Sequence, residues 1–189
     1  FLYCAVRSNS TQTWNTPASW TVLRTQGSGA NAETVVWGRT ADAAMVSAGS
    51  VNVTASAAGN SRCFMLRFTG STTDYSTNVV HNGRANTTAA ADIATSALTV
   101  SQNDTLVLYL ANDAANRAAT GVTSYPDSAT GLVASFSVFG TNEFSVYGAY
   151  VIQTTATSPA ASSIDLTSVA TGTSLFTIVS IPLVGATPP

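Results

Sequence analysis

The chain has 189 residues and a net charge of −2, with charged side chains at only 8% and hydrophobic ones at 45%. That balance excludes a basic footprint for nucleic acid or an anionic membrane, and the apolar content excludes disorder. No apolar run reaches the roughly twenty residues a membrane helix requires, so no membrane partner is expected.

The first residues, "FLYCAV" (Phe1–Val6), already read as a buried strand, an apolar, aromatic and β-branched mixture without a polar lead-in. After them, short runs with two-residue alternation follow one another, broken by Gly, Asn, Asp, Ser and Pro. They are "WTVLRT", "ETVVWGRT", "SVNVTAS", "RCFMLRFTG", "TNVVHNG", "SALTV", "DTLVLYLAN", "LVASFSVFG", "EFSVYGAYVIQ", "SIDLTSV" and "SLFTIVSIPLV". In "SVNVTAS", Val51 and Val53 share one face; in "SIDLTSV", Ile164 and Leu166 do the same. About a dozen short strands at this spacing indicate an all-β protein, an antiparallel β-sandwich of jelly-roll-like character. Helical periodicity is nearly absent, and at most one helical turn is expected, in the Ala-rich start of "ADIATSALTV". The Asn82-Gly83 pair suggests a tight hairpin turn.

The order of motifs repeats. "FLYCAVRSNSTQTW" is answered by "LVLYLANDAANRAATG", "TPASWTVLRT" by "TSYPDSATGL" and "ETVVWGRTA" by "FSVYGAYVIQ". "SVNVTASAAGNSRCFMLRF" lines up with "SIDLTSVATGTSLFTIVSI", with Gly59 near Gly172. Residues 1–70 and 104–185 are therefore two similar halves of one folded domain, joined by a polar segment over 71–103 and followed by a Pro-Pro tail at 186–189. In the second half a polar turn, "SQNDT", delivers the chain into its strand. The first half lacks that lead-in, so residues upstream of Phe1 are expected to belong to the polypeptide.

Reactive groups are sparse. The single histidine, His81, would have to serve any Ser-His-Asp or Cys-His site, and no serine sits in a G-x-S-x-G context. Glu33 and Glu143 each begin a strand at corresponding positions, a placement suited to charges that guard strand ends rather than to a glycosidase pair. Asp104, Asp113 and Asp127 are expected near turns, and the "NDAANR" loop matches no calcium spacing. Catalytic, metal and cofactor residues are thus expected to be none, and the chain is not read as an enzyme. Cys4 and Cys63 lie in apolar runs and read as buried free thiols, with a disulfide as the alternative. The N-x-S/T matches at Asn9, Asn52, Asn86 and Asn103 are what chance supplies in a Ser/Thr-rich chain. Trp20 and Trp37 read as core. Trp14 and Tyr125, near prolines in loop-like segments, are the aromatic candidates for stacking on a glycan.

The pattern "LYCAV…TPASWTVLRT…ETVVWGRTA…SVNVTAS…RCFMLRFTG" resembles a β-sandwich module of virion structural proteins in tailed bacteriophages. The likeness runs through a "P-x-G-W-T-L-L"-like stretch at Pro17 to Leu23, with Ser19 where Gly is usual, an "R-F-x-G" strand and a "GDLVL"-like restart in "NDTLVLYLA". It implies a role on the particle surface as a capsid decoration, head-fibre or tail-appendage protein. The expected partners are a major capsid protein or other virion proteins, and the expected oligomer is a homotrimer. The resemblance supplies no active-site residues. A carbohydrate- or receptor-binding module of a fibre, or a lectin-like protein, is the alternative.

Overall fold

A computed structural model of the chain describes residues 2–7, 13–27, 32–56, 60–68, 79–86, 92–113, 122–139, 142–166 and 174–183. The first half contributes β1 (Leu2–Arg7), β2 (Trp14–Asn15), β3 (Thr21–Gly27), β4 (Ala32–Gly38), helix α1 (Ala43–Ala48), β5 (Thr54–Ala55) and β6 (Asn60–Met65). The middle contributes β7 (Val80–Asn86) and β8 (Ile93–Ala94). The second half contributes β9 (Thr105–Asp113), β10 (Val122–Ser124), a 3-10 turn at Pro126–Ser128, β11 (Thr130–Phe139), β12 (Asn142–Gln153), β13 (Ser163–Leu166) and β14 (Ser174–Pro182).

Each half builds its own sheet in the same strand order. The first sheet runs β3-β4-β1-β6, and the second runs β11-β12-β9-β14 with β7 added beyond β14. Each half also forms a small ribbon, β2-β5 in the first and β10-β13-β8 in the second. The pairings are antiparallel throughout. Local details repeat as well. The Trp20 N–H donates to the Pro17 carbonyl at 3.1 Å, and the Ala129 N–H donates to the Pro126 carbonyl at 2.9 Å. One strand later, each half carries a register shift at the matching place, between Val22 and Arg24 against β4 and between Gly131 and Val133 against β12. An extra residue there bends the strand and sharpens its twist, which suits the edge of a sandwich.

The inner faces of the two sheets pack on each other. Leu23 and Val36 of the first sheet meet Leu106, Leu108, Leu110, Val146, Val179 and Ile181 of the second, with Phe64, Leu66 and Phe68 of the β6 region closing the layer. The outer face of the second sheet carries Tyr109, Ala111, Tyr147, Ala149, Phe176 and Ile178 under Ile93, Leu98, Val100, Ile164 and Leu166. The outer face of the first sheet carries a smaller cluster, Trp20, Val35 and Trp37, with Trp14, Met45, Val51 and Val53 against it. The molecule is thus an all-β sandwich with a ribbon on each outer side. Strands β9 and β14 are buried at every position, which accounts for their continuous apolar runs. Each large side chain taken out of water there contributes about 1.5–3 kcal/mol.

Several expectations need correction. Asn82-Gly83 is no turn: both residues lie inside β7, paired with Ile178 and Thr177 of β14. Gly83 is required for close approach, since a Cβ there would stand 2.7 Å from Gln26 Oε1 and 2.9 Å from the Phe176 carbonyl oxygen. "SALTV" is extended cover for the second sheet rather than a strand, and no helical turn forms in residues 92–100. The helix lies instead at Ala43–Ala48. Asp42 caps it by accepting the Met45 N–H at 2.7 Å, and Gly49 ends it at φ 65. Asp113 is no turn residue but the fully buried last residue of β9. Asn9, Gly59, Gly172, residues 114–117 of the "NDAANR" loop and the 186–189 tail lie outside the described residues.

Candidate functional site

Trp14 sits in the ribbon over the first sheet because β2 pairs with β5, placing Trp14 opposite Ala55 and Asn15 opposite Thr54. Its ring stands edge-on to Trp37, with centroids 6.4 Å apart and planes at 88°, the arrangement favoured by ring quadrupoles. Trp37 is fully buried and donates its Nε1–H to Thr16 Oγ1 at 3.3 Å. Trp14 is itself half-buried, and its Nε1 has no hydrogen-bond partner. The Trp14 backbone N–H donates to the Glu33 carboxylate, whose pKa is nonetheless raised because burial penalises its charged form.

Tyr125 belongs to the opposite outer side. Its ring packs against the core of the second sheet, and a Cβ on Gly131 would stand 3.0 Å from Tyr125 Cε2. Burial raises its pKa. Beside it, Tyr109 donates its hydroxyl proton to Asp127, which holds a left-handed φ of 53. Burial and that carboxylate push the Tyr109 pKa far above the ordinary tyrosine range. Trp14 and Tyr125 therefore lie on opposite faces of the stack and form no joint platform. Each ring packs, partly buried, against the core cluster of its own side.

Several of the described aspartates fasten elements of the fold. Asp42 caps α1 and accepts from Arg39 Nη2 at 2.8 Å. Asp92 Oδ1 accepts the Leu166 N–H at 3.1 Å. Asp165 accepts from the Ser124 and Ser163 hydroxyls, which lower its pKa. Glu33 and Glu143 are the second residues of β4 and β12. His81 lies on β7 opposite Val179, and its pKa is lowered by burial first and by the Arg24 charge second. Among the described residues no three His, Cys, Asp or Glu side chains gather as metal ligands, and no helix is long and apolar enough to cross a membrane.

The cysteines overturn the free-thiol reading. Cys63 is disulfide-bonded, and the register places the only other cysteine, Cys4, directly opposite it on β1. Cys63 is also less enclosed than expected, since it is exposed. Two runs 59 residues apart in sequence meet only through strand pairing, which spacing alone does not reveal.

The surface that sequence reasoning missed is the outer side of β6. Along this strand Arg62, Phe64, Leu66 and Phe68 turn toward the core, while Ser61, Cys63, Met65 and Arg67 are exposed. The alternation in "SRCFMLRF" carried that signal. In the second half the register places Phe176 and Ile178 where Cys63 and Met65 stand. Both are fully buried there, whereas Met65 is 51% exposed. Asn82 and Asn86 explain part of the difference. Their side-chain amides donate to the Ala97 and Ala94 carbonyls at 2.8 and 3.1 Å, tying residues 92–100 over β14.

No protein-family model, curated protein or solved structure matches the chain.

Proposed function

We propose that this chain is a non-enzymatic structural protein of a tailed-phage virion, a capsid decoration or cement subunit that reinforces the shell through protein–protein contacts. The observation that carries the reading is the use made of the acidic side chains. Asp42, Asp92, Asp127 and Asp165 each cap, tether or fasten a strand or helix, on a frame whose central strands are buried on both faces. The sequence likeness to virion sandwich modules points the same way. So does the cross-strand disulfide, which suits a protein that persists outside the reducing cytosol. A surface of Ser, Thr and Ala without lysine suits dense assembly, where desolvating an ammonium at a contact is costly.

Density-gradient fractionation of the natural source tests the proposal. The chain co-sediments with particles, and particles stripped of it rupture at lower temperature. Recovery only as a free species refutes it.

The glycan-binding reading draws on the half-exposed Trp14 beside exposed Asn15 and Thr54. A glycan panel decides between the two: binding that is lost in Trp14→Ala favours the lectin-like role, and a flat panel favours the structural one.

A further inference from the structure

We infer that the Cys4–Cys63 bond undergoes thiol exchange in the folded protein, and that Cys63 is the sulfur to which a small-molecule thiol of the glutathione class attaches. The inference is independent of the virion reading and stands on where the two cysteines lie in the first sheet. Cys63 is disulfide-bonded, and Cys4, the only other cysteine, stands directly opposite it in the β1–β6 register. The two positions are not equivalent. β1 lies inside the sheet between β4 and β6, whereas β6 is the last strand in the order β3-β4-β1-β6. On the far side of Cys4 the register puts Val35, a buried residue of the outer cluster. On the far side of Cys63 no described strand is paired, and Cys63 itself is exposed. Ser61, Met65 and Arg67, on the same face of β6, are exposed as well.

Exchange is an in-line displacement. The thiolate approaches one sulfur from the side opposite the bond that breaks, so access decides which sulfur is attacked. The bond joins β1 to β6, so the approach to the Cys63 sulfur comes from beyond the last strand of the sheet. Approach to the Cys4 sulfur would come from β4, where Val35 stands. A thiolate therefore bonds to the Cys63 sulfur, the electron pair of the broken bond leaves on Cys4, and the Cys4 thiolate takes up a proton from water. A second small thiolate then attacks the small-molecule sulfur of the adduct, which releases the small-molecule disulfide and leaves Cys63 as a thiolate. Two small thiols are oxidised to one disulfide while the protein bond is reduced. The second half offers no such approach, because Phe176, at the place of Cys63, is fully buried.

The test treats the folded protein with glutathione, stops the reaction at early times with acid and excess maleimide, and reads the products by peptide mass. Glutathione on Cys63 with maleimide on Cys4 is expected in about tenfold excess over the reverse pattern. The rate of adduct formation rises in proportion to thiolate concentration and passes the global unfolding rate, taken from urea kinetics extrapolated to water. Three results overturn the inference: a rate that levels off at the global unfolding rate, an even split of adduct between the two cysteines, or an adduct mainly on Cys4. The first would show that the bond exchanges only after the fold is lost, and the other two that the sheet edge does not choose the sulfur.

Discussion

Cys63 stands opposite Cys4 where, in the second half, Phe176 stands opposite Ala111. The second pair is fully buried and joins a core of a dozen side chains, whereas Cys63 is exposed on a sheet with a three-residue outer cluster. One half secures its central strands by packing and the other by a covalent bond. The exchange is physically sensible, because a cross-link restricts the unfolded chain without needing an apolar cover.

Reduction therefore destabilises the protein by about 2–4 kcal/mol. Urea unfolding with and without a phosphine reductant measures this, and the Cys4→Ser, Cys63→Ser double variant matches the reduced protein. Thiol titration of the denatured, unreduced chain finds no free thiol.

Gly83→Ala forces a Cβ against the Phe176 carbonyl, a backbone atom that cannot swing aside as Gln26 can. The expected loss is about 1–3 kcal/mol, read from the urea midpoint. Gly49→Ala is the control for conformation alone. It has open space around the new methyl group but a φ of 65, and it costs about 1 kcal/mol.

Ser19 holds a φ of 67 in the turn that Pro17 and Trp20 close. Ser19→Gly relieves that left-handed strain, at the cost of a freer unfolded chain. The net gain is up to about 1 kcal/mol, seen as a higher melting temperature. An unchanged or lower melting temperature shows the turn to be unstrained.

His81 supplies a pH dependence with a defined sign. Its folded pKa lies below the ordinary 6.5, so the unfolded chain binds a proton at a pH where the native one does not. The stabilising contribution is fully present above 6.5 and declines as pH falls below it toward the folded pKa. NMR titration of the single imidazole gives a midpoint under 6.5, and His81→Gln flattens the stability profile in that window.

Tyr109→Phe removes the hydroxyl that donates to Asp127 and costs about 0.5–1.5 kcal/mol. In the native protein this phenol stays protonated through alkaline titration. Its absorbance change near 295 nm appears only with unfolding and is missing from the variant.

The amino-acid sequence by itself determined the strand class, the positions of most strands, the repeat of motif order and the burial of Trp20 and Trp37. Alternation and turn residues are local properties, and local sterics and side-chain polarity write them directly into the chain. The helix at Ala43–Ala48 left only its caps, Asp42 and Gly49, in the sequence, because its six residues bury none of their number and so carry no helical alternation. Tertiary structure decided the rest. It turned Asn82-Gly83 from a turn signal into a mid-strand notch with an amide tether, because the neighbours that need that room, Gln26 and Phe176, come from distant parts of the chain. It set Trp14 and Tyr125 on opposite faces, joined Cys63 to Cys4, and left Met65 bare where Ile178 is buried. Each outcome depends on which strands become neighbours. That choice is made by the summed burial of two sheets, and no single stretch of residues carries it.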